Sequence, residues 1–68
     1  MNFNAKATLH RKKPGESMGK MINHGTLADM IRRVMRGPAS KRDQYFIMVG
    51  DAIYSAADID ALKKQIPE

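Results

Sequence analysis

The residues most able to do chemistry in this chain are a glycine-flanked lysine, two histidines, a serine followed by two aspartates, and a set of arginines and lysines. Gly15-Glu16-Ser17-Met18-Gly19-Lys20-Met21 invites comparison with a phosphate-binding loop. Such a loop needs four residues between its glycines, so that successive N–H groups surround the phosphates, and a Ser or Thr after the Lys for magnesium. Here the spacer has three residues and Met21 stands where the hydroxyl is needed, so no nucleotide cofactor is expected. His10 and His24 are fourteen positions apart in a chain without cysteine. Zinc takes about four ligands, so no metal is expected either. Ser55 has no histidine after it, and Asp58 and Asp60, two apart on a helix, do not face one another. A domain this small buries only roughly 60% of its unfolded surface, which leaves little wall for an enclosed active site. The expectation is a protein that is not an enzyme and carries no cofactor.

The cations carry the strongest functional signal. Arg11, Lys12 and Lys13 form one group, Arg32, Arg33 and Arg36 a second, and Lys41 and Arg42 a third. Residues 1–42 hold ten Lys/Arg against two carboxylates, a balance of +8; residues 43–68 hold two against five, a balance of −3. A field polarised in this way steers the basic half toward polyanions or acidic surfaces. If the fold gathers these groups, they neutralise phosphates and give salt-dependent binding to DNA or structured RNA. That reading makes the chain a nucleic-acid-binding accessory or transcription regulator. Phe3, Tyr45, Phe46 and Tyr54 are assigned structural duties, so base stacking is not expected. The alternative is a protein-binding modulator, an inhibitor or adaptor of the kind phages and mobile elements encode, docked on an acidic surface of nucleic-acid-processing machinery. The plainest competitor is a basic face that only solvates the protein.

These side chains need elements to hold them. Phe3, Ala5, Ala7 and Leu9 alternate with polar residues, the period of a half-buried strand. Pro14-Gly15 marks a turn. Residues 16–25 are ambiguous: Met18, Met21 and Ile22 have helical spacing, but Gly19 and Gly25 argue against a long helix. Thr26 with Asp29 reads as a helix start. Leu27, Met30, Ile31, Val34 and Met35 then form one apolar stripe, with Gly37 placed as a left-handed stop and Pro38 beyond it. Tyr45, Ile47 and Val49 alternate with Phe46 and Met48, apolar on both faces, as in a central strand. Gly50-Asp51 reads as a two-residue type II′ turn into Ala52, Ile53 and Tyr54. Ser55 then caps a helix through Asp58, Tyr54 and Ile59 are spaced as a hydrophobic staple, and Pro67 ends it.

The expected fold is therefore a single α+β domain over residues 1–68. A strand and basic segment over 1–13 precede a helix over 26–36, a hairpin over 44–54 and a helix over 55–66. A largely antiparallel three-stranded sheet with both helices on one face (β-α-β-β-α) is the economical arrangement. The alternative is a winged helix-turn-helix, with residues 16–24 as the first helix and the arginines on the second. No internal repeat is visible. A homodimer would cover any apolar surface left over. The longest apolar run, residues 45–49, is too short to span a membrane, and the lack of cysteine suits a reducing compartment, so a cytoplasmic location is expected.

Overall fold

Two strands open the structure where the sequence pattern suggests one. The computed structural model describes residues 2–17 and 19–66; Met18, with its helical spacing, and Pro67, the helix stop, lie outside the described residues. Strand β1 (Lys6–Arg11) is followed by β2 (Lys20–Thr26), helix α1 (Leu27–Arg36), a 3-10 connector (Ala39–Gln44), β3 (Tyr45–Val49), β4 (Ala52–Tyr54) and helix α2 (Ala56–Lys63). The sheet runs β2-β1-β3-β4 and is antiparallel throughout. The small α+β class with helices on one sheet face stands, but the sheet has four strands, not three. Residues 20–24 lie in strand β2 and residues 16, 17 and 19 are not helical, so the winged helix-turn-helix arrangement is excluded.

The fourth strand hides its period because β2 bulges. Leu9 pairs with Asn23 and His10 with Met21, leaving Ile22 as the extra residue. A bulge moves the alternation to the other face partway along the strand. As an edge strand β2 is also poorly covered, and Met21 and Ile22 are 58% and 50% exposed. Before β1, residues 2–5 turn rather than extend: Ala5 N–H donates to the Asn2 carbonyl at 3.2 Å. Phe3 still packs against the core.

One layer of side chains joins sheet and helices. Ala7 and Leu9 from β1, Ile47 from β3, Leu27, Ala28, Met30, Ile31 and Val34 from α1, and Ile59, Leu62 and Ile66 at the second helix form a single buried cluster. Leu9 faces Ile47 across the central ladder. Both helix starts are capped as their sequences require. Asp29 N–H donates to Thr26 Oγ1 at 3.2 Å, and Ser55 N–H donates to Asp58 Oδ2 at 3.2 Å. Such caps are worth about 1 kcal/mol each.

The chain follows a ββα path twice. Each unit begins with a central strand, turns back along an edge strand and returns as a helix, and the two central strands pair antiparallel. The second unit turns on Gly50-Asp51, flanked by the Val49–Ala52 pair. Gly50 has φ 59° while no described non-glycine residue has positive φ, as a type II′ turn requires. Gly37, by contrast, is extended at φ −74°, ψ 170°, not left-handed. The following Pro38 excludes the helical region for its predecessor, and the helix closes through the Gly37 N–H to the Val34 carbonyl.

Candidate nucleic-acid interface

Three segments far apart in sequence meet at one end of the sheet. Strand β1 ends at Arg11, opposite Tyr45, where β3 begins, and opposite Lys20, where β2 begins. Helix α1 starts at the far end, tied by the Leu27 and Ala28 N–H groups to the Ala5 and Phe3 carbonyls. It runs back so that its last turn, with Arg33 and Arg36, reaches the connector. Two hydrogen bonds close the junction. Lys12 N–H donates to the Gln44 carbonyl at 2.8 Å, and Arg42 Nη2 donates to the Met35 carbonyl at 2.8 Å. Across residues 11–20, 33–36 and 41–43, eight cations stand against Glu16 and Asp43.

Within this end the cations divide by what holds them. Lys12, Lys13, Lys20, Arg33, Arg36 and Lys41 are exposed and available to an anion. Arg11 is a strut: its Nε donates to Gln44 Oε1 at 3.0 Å, and its guanidinium lies 5.7 Å from the centre of the Tyr45 ring. Arg42 is a strut as well, satisfying a carbonyl that the end of α1 leaves without a helical partner. Its buried Nε makes no hydrogen bond to any described residue. Arg32 lies apart from the group. It pairs with Asp29 at 3.6 Å and lines a groove with Asn2 and Phe3 beside the start of α1. The arginine face of the helix is therefore divided between two ends of the molecule. Lys20 joins the basic end unannounced by the sequence, because its place depends on β2.

The sheet face away from the helices is a second feature that sequence reading does not reveal. Since Leu9 and Ile47 point to the core, His10, Thr8, Phe46 and Met48 point outward. Two cross-strand rows result: Met21–His10–Phe46, and His24–Thr8–Met48–Ile53. The His10 and Phe46 rings stack with centroids 4.9 Å apart and planes 7° from parallel. His10 Nε2 is 2.8 Å from Thr8 Oγ1, which fixes the imidazole. Gly19 backs onto the Phe46 ring so closely that a Cβ there would stand 2.7 Å from Cε1; only glycine lets the chain approach. A cleft of about 660 Å³ opens beside His24, Thr8 and Met48 of the second row, lined also by Lys6, Thr26 and Asp29.

Neither histidine belongs to a cluster of three or more His, Cys, Asp or Glu side chains placed to hold a metal among the described residues. Ser55 is occupied at the helix start, its Oγ bonded to Asp58 Oδ2 at 3.2 Å. Among the described residues no helix is long and apolar enough to cross a membrane. Comparison with family models, with curated proteins and with solved structures finds no match, and the functional reading rests on the geometry of these two surfaces.

Proposed function

We propose that this is a small non-catalytic nucleic-acid-binding protein that grips the phosphate backbone with its basic end. The observation that carries this is the convergence of Lys12, Lys13, Lys20, Arg33, Arg36 and Lys41 from three chain segments, all exposed. Eight cations gathered against two carboxylates raise the local potential and attract a polyanion. Arg11 and Arg42 serve by holding the segments together, and Arg32 contributes from a distance. A reducing, cytoplasmic setting suits a cysteine-free chain with such a ligand.

Titration of a fluorescent oligonucleotide by anisotropy between 50 and 200 mM salt tests the reading. Five or six phosphate contacts give a log–log salt slope of roughly −4.5 to −5.5 on duplex, and a shallower one on single strands. Each of Lys12→Ala, Lys13→Ala and Arg36→Ala lowers the slope by about one. Affinity that is absent at low salt, or indifferent to salt, overturns it.

A second reading has its own support in the β2 edge, where Met21 and Ile22 stand exposed beside Lys20. An open edge accepts an added strand, and an acidic partner would suit the charge. In that case a defined protein stays bound after nuclease treatment, while oligonucleotides show no salt-dependent affinity.

A further inference from the structure

We infer that the helix-free face of the sheet is a base-stacking platform and that the preferred ligand is single-stranded nucleic acid. This rests on the nucleic-acid reading above and narrows it: the basic end takes phosphates, and the sheet takes bases. In a duplex the base faces are covered by neighbouring base pairs and only the edges show in the grooves. A platform of rings is therefore of use only to unpaired bases.

Four observations point the same way. The stacked His10–Phe46 pair lies mid-face on the two central strands, where a base can continue the stack. Met21 and Ile53, 58% and 61% exposed, leave apolar side chains uncovered on both edge strands of the face. The adjacent cleft is lined by Met48, Thr8, Thr26 and His24, together with Lys6 and Asp29. Its volume of about 660 Å³ lies within the range of small-ligand sites.

Charge decides between occupants. Lys6 stands on this face in step with Thr8 and His10, no strand residue is Asp or Glu, and Lys12 and Lys13 continue β1 past its end, whereas Arg11 lies on the helix side with Leu9. A second copy laid face to face offers these cations no carboxylate from its strands, and only Asp29 from the lining of the cleft. A neutral apolar peptide would leave them unused. A polymer with flat apolar rings on an anionic backbone satisfies both halves of the surface. Such stacking is tolerant of sequence, because every base has a face to offer.

The test compares an unstructured oligonucleotide of about twelve nucleotides, within the span one small module covers, with a hairpin duplex carrying the same number of phosphates. Anisotropy gives affinities for the parent protein, Phe46→Leu and His10→Ala. Methyl NMR follows Met21 and Met48 on the face and Met30 in the core. The single strand is expected to bind more tightly than the hairpin, moving the Met21 and Met48 methyls but not Met30. Phe46→Leu should weaken the single strand by about fivefold or more while leaving the salt slope unchanged. If Phe46→Leu fails to fold, His10→Ala and the methyl map decide. Equal affinity for both ligands, with the face methyls unmoved, overturns this inference and leaves phosphate binding standing. Failure of both ligands to bind at low salt overturns the nucleic-acid reading itself. Face methyls that shift with protein concentration alone, together with a doubled mass, assign the face to a second copy and overturn the inference too.

Discussion

The two ββα units of this protein take the same path and are equipped differently. Residues 6–36 carry eight cations against Glu16 and Asp29, and residues 45–63 carry Lys63 against Asp51, Asp58 and Asp60. The first hairpin is joined by residues 12–19 and ends in a seven-residue bulged edge; the second turns on two residues and ends in three. What they share is what builds the fold: a buried aliphatic residue on each central strand, a hydroxyl cap with Asp three positions on, and a buried helix stripe. What differs is loop length and charge. Architecture comes from the shared positions, and the capacity to bind comes from the others.

The strongest test of that division is in the shared core. Ile31 and Ile59, one from each helix and both fully buried, should each cost about 2–5 kcal/mol when replaced by Ala. If the units form one cooperative body, each variant melts in a single, lowered transition by circular dichroism. A second transition in Ile59→Ala, leaving the first unit folded, would break the comparison into two independent modules.

Arg42→Ala probes the junction between the units. It removes a charged donor from the Met35 carbonyl, which should cost about 1.5–3 kcal/mol. Chemical denaturation measures the loss, while affinity per folded molecule stays near that of the parent. A variant with full stability and weak binding would return Arg42 to the interface. Next come the caps. Thr26→Ala and Ser55→Ala should each cost about 1 kcal/mol, and equal shifts in urea midpoint sharpen the equivalence of the two helix starts. A silent Thr26→Ala would show that only the second cap matters. Smallest in stability are Lys12→Ala and Lys13→Ala, expected within about 0.5 kcal/mol of the parent. These exposed cations belong to the equipment of the first unit, so losing them should change salt-dependent binding alone.

The difference between the units also explains what was legible in the sequence. The second unit is written in local signals: Gly50-Asp51 between alternating apolar residues, then Ser55 and Asp58 at capping distance. Each of these is decided by neighbours a few positions away, and each is found where the pattern puts it. The first unit depends on distant partners. Strand β2 exists because β1 pairs with it, and its bulge at Ile22 erases the alternation that would have disclosed it. The residues of β3 correctly indicate a central strand, yet apolar side chains on both faces suggest cover on both, and only one face is covered by helices. That is why Phe46 reads as structural from the sequence and stands outward in the fold. Likewise Arg11 and Arg42 look like binding residues until Gln44 and the Met35 carbonyl are brought to them.

The antiparallel pairing of Leu9 with Ile47 has a kinetic consequence. Both hairpins and both helices are formed by residues close in sequence, whereas this ladder joins positions separated by more than half the chain. Loop-closure entropy must be met before such a contact is rewarded. The step that sets the refolding rate is therefore expected to be the meeting of two partly formed halves. Substitutions along that central seam should slow folding, while those at the outer strands mainly hasten unfolding.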